Sequence, residues 1–317
     1  MEGAGARPGP LHEPVDRRQR QAVAAVVDHL GPAGLDVRGV GVWRAGSAVL
    51  VGLPEVPALA RVDDPARLAD ARRQVRVSAL LAQRGVPVVT TVGPAGQPLA
   101  TDVGPLTVWR WVAPVGPRVG PHAVGALARV LHDRTRELAR GPAGRPVEVP
   151  VHEPLLAVRA ELDRAEEVGA TGAGDLRLLR RTWQRLADTW PAPDDDPLGA
   201  AVVHGDLHVG NVVPSADGPV LADLELAGWG PASADLAPQV VAVRRYGADP
   251  EELDAALAGY GGDPRSWPGF ELLVEGYELW VTAWAVANRT GSPAAEREAA
   301  VRLERWRTGT SPAWSLR

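Results

Sequence analysis

The sequence predicts an α+β protein with two lobes, a small antiparallel β lobe followed by a larger lobe that is mostly helical. Short apolar runs separated by turn residues fill the first third of the chain, with one helical pattern among them. Amphipathic helical patterns fill most of the remainder. A chain of 317 residues is long enough for two such lobes. We divide it into a leader with an N-terminal helix, an N-lobe and a C-lobe, at residues 1–34, 35–112 and 113–317.

Turn and capping residues indicate where the helices and strands of the N-lobe begin and end. Residues 1–16 are expected to form a flexible leader before a short helix at 17–30. The helix of the lobe begins after the capping residue Asp64 and ends at Gly85. Small-residue turns separate the strands. The predicted strands lie at about 37–43, 48–52, 57–62, 86–93 and 105–113.

Helical patterns dominate the C-lobe, which follows a linker at 113–117. Two short strands, at about 200–203 and 219–222, are expected to interrupt them. The 35 glycines and 30 prolines of the chain are spread out and supply the turns between these elements. The predicted helices are 121–139, 153–168, 175–189, 235–244, 249–259, 268–288 and 293–307.

Composition excludes several classes of protein and mechanism. The chain has no cysteine, which rules out disulfides and thiolate metal sites. It has no apolar run of about 18 residues and no hydrophobic signal core, so we expect a cytoplasmic protein without a membrane partner. A net charge of −5 argues against a nucleic-acid partner. All 34 basic residues are arginines, so a phosphate-binding loop that depends on lysine is impossible.

The stretch AVVHGDLHVGNVV, residues 201–213, carries the candidate catalytic chemistry. Asp206 and Asn211 have the D-x-x-x-x-N spacing of a kinase catalytic loop. The stretch PVLADLE then places Asp223 at the end of a strand, and a hairpin over 212–222 would bring it back beside Asn211. Phosphoryl transfer needs a carboxylate to orient and deprotonate the acceptor hydroxyl, and oxygen ligands for Mg²⁺. These three side chains are of the required types.

The motif HGDLHVGN, residues 204–211, resembles the H-G-D-x-H-x-x-N loop of the aminoglycoside phosphotransferase-like family of small-molecule kinases. That family follows the loop with a metal-binding Asp and an acidic residue two positions on, which match Asp223 and Glu225. It then opens a helix with Asp-Leu-Ala, which matches Asp235 and its two successors. The resemblance covers roughly residues 37–307 and implies a bilobal protein-kinase-like fold.

The resemblance implies a kinase that uses ATP or GTP with Mg²⁺ to phosphorylate a hydroxyl group of a small molecule. Asp206 would be the catalytic base, and Asn211 and Asp223 would bind Mg²⁺. The residues that would support the loop and the metal are His204, His208, Glu225 and Asp235.

The resemblance also implies a nucleotide site in the N-lobe. The third strand of the family carries a Lys or Arg that reaches the nucleotide phosphates, which matches Arg61. Its usual partner is a Glu on the following helix, where this chain has Gln74. Gln cannot form an ion pair, although it can hydrogen-bond a guanidinium. The backbone near Trp111 and Val112 is expected to bind the adenine. The turn with Gly46 and Ser47 is expected to bind the phosphates.

The helix predicted at 268–288 is the candidate for acceptor binding. Its aromatic and aliphatic stripe is interpreted as core, and a solvated face is the default interpretation of its acids. The C-terminal helices of the family line the acceptor pocket, however, and acids there would suit a cationic acceptor. The stripe residues are Leu273, Tyr277, Trp280 and Trp284, and the acids are Glu271, Glu275 and Glu278.

The identity of the acceptor and the activity itself have alternatives. An antibiotic is the leading acceptor, and kinases of choline, homoserine and sugars share the scaffold. Gln74 and a degenerate glycine turn would also suit a nucleotide-binding pseudokinase or regulatory module. His204 and His208 are four residues apart, as in some zinc sites, but no third ligand has suitable spacing. Both a monomer and a dimer are compatible with the sequence.

Overall fold

The computed structural model describes residues 8–138, 149–310 and 312–315. The chain forms two compact units, Met1–Val119 with Gly210–Glu225, and Gly120–Val209 with Leu226–Arg317. The described helices are α1 Arg17–Leu30, α2 Leu68–Gln83, α3 Pro121–Thr135, α4 Pro154–Glu167, α5 Ala173–Thr189, α6 Ala237–Tyr246, α7 Pro250–Tyr260, α8 Pro268–Ala287 and α9 Pro293–Thr308. The described strands are β1 Gly41–Ala45, β2 Val49–Leu53, β3 Ala58–Val62, β4 Leu99–Thr101, β5 Gly104–Arg110, β6 Ala200–Val203, β7 Val212–Ser215, β8 Gly218–Leu221 and β9 Gly228–Pro231.

The first unit is built on a five-stranded antiparallel sheet in the order β1-β2-β3-β5-β4. Side chains alternate along β3, so Ala58, Ala60 and Val62 are buried in the core while Arg61 lies on the other face. The apolar face of α1 packs into the same core through Val26 and its neighbours. Because the sheet fixes the direction of each side chain, it sets the position of Arg61.

The residues before α1 differ from the expected flexible leader. His12 and Val42 exchange both backbone hydrogen bonds, at 2.8 and 2.9 Å. Leu11 packs so closely on Gly52 that a Cβ at that glycine would lie 2.4 Å from the Leu11 side chain. The described part of this segment therefore pairs with β1, and residues 1–7 of the expected leader lie outside the described residues.

The prediction of a strand at 86–93 is wrong. This segment makes only isolated bridges, between Val88 and Leu221 and between Thr91 and Trp109. Pro87 has no backbone N–H and cannot donate to a continuous ladder. The fifth strand of the sheet is instead β4, whose three residues are too few to show an alternating pattern.

The second unit is mostly helical, with a two-stranded antiparallel sheet of β6 and β9. Strand β9 was not predicted, because its sequence Gly-Trp-Gly-Pro is typical of a turn. Helices α3 and α7 cross at two glycines. A Cβ at Gly125 would lie 1.9 Å from the Ala256 carbonyl oxygen, and one at Gly259 would lie 2.0 Å from that of His122.

The predicted C-lobe helices are found with shifted ends. Helix α6 begins at Ala237, two residues after the predicted start, because a short 3₁₀ turn over Ala232–Leu236 precedes it. Helix α3 ends at Thr135, and residue 139 of the predicted helix lies outside the described residues. None of the helices in the described ranges has the length and apolar character that crossing a bilayer requires.

Candidate active site

A buried carboxylate fixes the start of the loop that follows β6. The backbone N–H groups of His204 and Gly205 both donate to Asp235, at 2.8 Å each. His132 of α3 adds a third contact, with Nε2 3.0 Å from the same carboxylate. The side chains of Asp235 and His132 are both fully buried. Asp235 therefore positions the backbone immediately before Asp206.

The electrostatic environment keeps Asp235 ionised. Burial alone would raise its pKa, but the hydrogen bond and positive charge from His132, with a further contribution from His204, outweigh that effect. The pKa of Asp235 is therefore lowered. An ionised carboxylate accepts stronger hydrogen bonds than a neutral acid, which tightens its hold on the loop.

Gly205 is required by the shape of the loop. Its φ is +83°, in the left-handed region that favours glycine. A Cβ at this position would also lie 2.8 Å from the carbonyl oxygen of Leu226 and from Cε1 of His152. Two residues later, the carbonyl of Leu207 accepts a hydrogen bond from the buried Gln239 side chain at 2.7 Å. The loop is thus fixed on both sides of Asp206.

The side chain of Asp206 is hydrogen-bonded to a tyrosine of α8. The phenol of Tyr277 donates to Oδ1 of Asp206 at 2.6 Å. His208 lies near the other carboxylate oxygen, with its Nε2 3.7 Å from Oδ2. The Asp206 side chain is 16% exposed, so the carboxylate is close to the surface but largely enclosed.

The hairpin β7–β8 brings Asn211 and Asp223 to the same end of the first unit. Val212 pairs with Leu221, and the backbone N–H of Ala222 donates to the Asn211 carbonyl at 2.9 Å. The predicted return of Asp223 beside Asn211 is therefore found. Asp223 has a φ of +63°, a conformation that few residues other than glycine adopt. Such strain occurs often at functional sites.

Arg61 lies among three carboxylates of the first unit. Its Nε donates to both carboxylate oxygens of Asp63, at 2.9 and 3.0 Å, and its terminal nitrogens lie 3.3 Å from Asp223 and Glu225. Arg67 also contacts Glu225, at 3.0 Å. Burial disfavours the charged guanidinium, but the charges of Asp223 and Asp63 outweigh it, so the pKa of Arg61 is raised.

Among the described residues, the hydrogen bonds of Arg61 therefore go to acids and not to Gln74. Gln74 lies on α2 and is only 4% exposed. The anchor for the guanidinium comes from Asp63 on the chain directly after β3 and from the end of the β8 hairpin. Three carboxylates around one arginine supply more negative charge than the single Glu that the resemblance leads us to expect.

The expected nucleotide turn is held by α1. Arg18 donates from one terminal nitrogen to the Gly46 carbonyl at 2.6 Å and from the other to the Ser47 carbonyl. At the other predicted contact, Trp111 packs edge-to-face on Trp43, with ring centroids 5.5 Å apart. The Trp111 indole N–H is buried and has no hydrogen-bond partner among the described residues. Val112 follows it, just after the end of β5.

Each glutamate proposed for a cationic acceptor is paired with arginine. Glu271 contacts Arg244 at 2.6 Å, and Glu275 contacts Arg185 at 2.5 Å. Glu278 contacts Arg245 at 2.9 Å and Arg305 at 3.6 Å, and it is only 2% exposed. Glu278 is therefore a buried ion-pair partner and not part of a solvated face.

A model of the phosphotransferase enzyme family matches residues 15–273, most of the chain. The chain belongs to the phosphotransferase enzyme family. A comparison with curated protein sequences finds no match. The match confirms the predicted family and the predicted enzyme class, a phosphotransferase that acts on an alcohol group of a small molecule.

Solved structures of low sequence identity share the fold of this phosphotransferase. An amicoumacin kinase in complex with AMP-PNP, Ca²⁺ and Ami is 14% identical, with a TM-score of 0.65 over 95% of this chain and 98% of that chain. A choline/ethanolamine kinase family protein from Mesorhizobium loti is 19% identical, with a TM-score of 0.55 over 92% and 94%. An aminoglycoside-3′-phosphotransferase of type VIII is 20% identical, with a TM-score of 0.56 over 84% and 99%. The predicted protein-kinase-like α+β fold is confirmed.

The residues of this phosphotransferase fit a divalent cation and a nucleotide by their chemistry. Asn211 and Asp223 offer the amide and carboxylate oxygens that Mg²⁺ takes alongside water and phosphate. The unsatisfied indole N–H of Trp111 is a buried donor that a nucleotide acceptor atom would satisfy. The described residues contain no group of three His, Cys, Asp or Glu side chains arranged for a metal.

Sequence reasoning missed several residues that hold the site. Asp63 stands two positions after Arg61, a spacing that puts side chains on the same face of an extended strand, and that spacing could have identified it. His132 lies 103 residues from Asp235, and no local pattern connects them. Tyr277 was interpreted as core because an aromatic stripe on a helix usually is.

Proposed function

We propose that this phosphotransferase transfers the γ-phosphoryl group of ATP or GTP to a hydroxyl group of a small molecule, with Mg²⁺. The observation that carries the proposal is the carboxylate of Asp206. It lies on a loop that Asp235 and Gln239 hold from both sides, and it accepts a short hydrogen bond from Tyr277. A carboxylate held in this way is suited to orient an acceptor hydroxyl.

The chemistry follows from these groups. The acceptor oxygen attacks the γ-phosphorus while its proton passes to Asp206, and the bond from that phosphorus to the bridging oxygen of the nucleoside diphosphate breaks. Asn211 and Asp223 would hold Mg²⁺, which neutralises charge on the phosphate oxygens. Arg61 would contact the phosphates from the sheet, while the turn at Gly46 would cover them.

The acceptor is proposed to carry an apolar portion and at most one positive charge. The acids of α8 are already neutralised by arginines, so they offer little net charge to a polycation. A small cavity beside Gly205, with room for about one water molecule, is lined by Trp190, Leu226, Tyr277 and Trp280, and the described residues that line it include no acid. Aromatic rings favour flat or alkyl groups and bind a single cation through their faces.

A turnover screen tests the proposal. ATP or GTP with Mg²⁺ would be offered with each of five acceptors taken from the structural relatives: an aminoglycoside, a macrolide, amicoumacin, choline and ethanolamine. We expect acceptor-stimulated nucleotide consumption that Asp206→Asn reduces by roughly a hundredfold or more while Mg-nucleotide binding persists. Asp217→Asn, at an exposed turn, is the matched control.

Other outcomes of the screen separate the alternatives. Tight Mg-nucleotide binding without turnover of any acceptor would favour a nucleotide-binding module over a kinase. Absence of nucleotide binding to the wild-type protein would overturn the assignment of Arg61, Asn211 and Asp223. Preferential turnover of the polycationic aminoglycoside would overturn the proposed acceptor class alone.

A further inference from the structure

The hydrogen bond between Tyr277 and Asp206 has a fixed direction. Burial raises the pKa of the Tyr277 phenol well above its usual value, and the negative charge of Asp206 raises it further. The phenol is therefore protonated at neutral pH, and only the carboxylate can accept. A separation of 2.6 Å is typical of a charge-assisted O–H···O⁻ bond.

This hydrogen bond restrains rotation about the terminal torsion of Asp206, which sets the direction of its two carboxylate oxygens. The terminal torsion of an aspartate has broad energy wells, so an unrestrained carboxylate samples many orientations. Tyr277 donates to Oδ1, and Nε2 of His208 lies 3.7 Å from Oδ2. The hydrogen bond from Tyr277 therefore limits the orientations that the carboxylate can adopt.

Tyr277 is itself held in place by its surroundings on α8. Its ring lies 5.7 Å from that of Trp280, tilted by 41°. At the preceding position, Gly276 allows Trp190 to close on the helix, because a Cβ there would lie 2.5 Å from the Trp190 ring. A rigid donor on a regular helix holds its partner more accurately than one on a loop.

We infer that Tyr277 is a positioning residue for the general base: by donating to Oδ1 of Asp206 it orients the carboxylate that receives the proton of the acceptor hydroxyl. The inference rests on the proposed function, in which Asp206 is that base. It goes further by naming the side chain that sets the orientation of this carboxylate. It also gives a role in catalysis to a residue whose sequence context indicates only core packing.

The test compares two substitutions that each remove one phenolic hydroxyl, Tyr277→Phe and Tyr246→Phe. Tyr246 lies on α6 and acts electrostatically on both Asp206 and Tyr277. Its hydroxyl forms no hydrogen bond with the described residues. The reaction measured is hydrolysis of Mg-ATP by water, which needs no identified acceptor, together with any acceptor that the screen identifies. The midpoint of thermal unfolding is recorded for each variant.

We expect Tyr277→Phe to lower kcat roughly tenfold while KM for Mg-ATP changes less than twofold, because only the reacting carboxylate is disturbed. Tyr246→Phe, which keeps the hydrogen bond between Tyr277 and Asp206, should change kcat much less than Tyr277→Phe does. Loss of a donor to the carboxylate should also move the acid limb of the pH profile upward by about one pH unit. The other titratable or charged groups that act on Asp206 or Tyr277 are His208 in the loop, Tyr246 on α6 and Arg302 on α9. Both variants retain His208 and Arg302.

A carboxyl titration makes the result independent of turnover. The protein is labelled with ¹³C at the aspartate carboxyl carbon, and the Asp206 signal is assigned by comparison with Asp206→Asn. This signal should titrate at higher pH in Tyr277→Phe than in the wild type. Unchanged kcat and an unchanged titration in Tyr277→Phe would overturn the inference while leaving the proposed function intact. Loss of nucleotide binding or a large fall in thermal stability would show a purely structural role, which also overturns it. A wild-type protein that consumes no nucleotide would overturn the proposed function, and the catalytic role of Tyr277 with it.

Discussion

At the scale of single residues, Asp235 holds the loop that carries the proposed base. Three donors from two different elements reach its carboxylate, and no solvent reaches the side chain. Removing one member of a buried, hydrogen-bonded group leaves the others without partners. The loop therefore depends on a residue that makes no contact with the proposed substrates.

Asp235→Ala should lower the free energy of unfolding by about 3–5 kcal/mol, because it leaves His132 and two backbone N–H groups unsatisfied in the interior. Chemical denaturation measures the change. Asp28→Ala, on the exposed face of α1, should stay within about 0.5 kcal/mol of the wild type. Equal effects of the two substitutions would contradict the role given to Asp235.

The same residue makes stability sensitive to acid. Because the pKa of Asp235 is lower in the folded chain than in the unfolded chain, its contribution is complete above about pH 4 and is lost as pH falls through the folded value. The stability difference between the wild type and Asp235→Asn should therefore shrink below about pH 4. Denaturation curves across pH 3–7 check this, and a difference that grows toward low pH would refute it.

At the scale of elements, α1 and the turn between β1 and β2 form one assembly through Arg18. Two consecutive carbonyls accept from one guanidinium, which fixes the turn proposed to lie over the nucleotide phosphates. The arginine is exposed, so the restraint is modest. Arg18→Ala should raise KM for Mg-ATP by roughly threefold with kcat nearly unchanged. Arg20→Ala, on the same helix, serves as control in the same steady-state assay, and equal KM values for the two variants would contradict the role of Arg18.

The crossing of α3 and α7 depends on glycine at its contact points. Gly125→Ala would force a methyl group into the Ala256 carbonyl and should lower stability by about 1–3 kcal/mol or more. Gly174→Ala, in a helix position with open space around it, should be neutral or stabilise by up to about 1 kcal/mol. Thermal denaturation of both variants tests the contrast. Destabilisation of similar size in both variants would contradict the role given to the two glycines of the crossing.

How much could be predicted from the sequence differs between elements. Helices with clear caps were found at nearly the right ends, as for α1 at 17–30, because a local hydrogen bond sets the boundary. The loop motif was recognised from its residue types, their spacing and the family resemblance, and the hairpin over 212–222 from the short strand that ends at Asp223. Strands β4 and β9 were missed, because their partners and not their own residues make them strands. The acids around Arg61 and the bond from Tyr277 to Asp206 join distant parts of the chain, which no local pattern reports.

At the scale of the whole molecule, ligand binding should couple to stability. AMP-PNP with Mg²⁺ at about a hundred times its dissociation constant should stabilise the folded chain by about 2.7 kcal/mol. Asp223→Asn should remove most of the part that depends on Mg²⁺, whereas Asp217→Asn should leave it unchanged. Thermal melts with and without Mg²⁺ measure both, and an equal response of all three proteins would exclude Asp223 as a metal ligand.

The guanidinium of Arg61 also determines how the protein behaves when metal is withheld. It forms ion pairs with Asp63, Asp223 and Glu225, and this positive charge reduces the repulsion among the three acids without a divalent ion. Small domains whose folding free energy comes from a bound metal unfold when they are treated with a chelator. This chain should instead keep its melting temperature in EDTA, and it should survive purification and storage in chelating buffers with its fold intact.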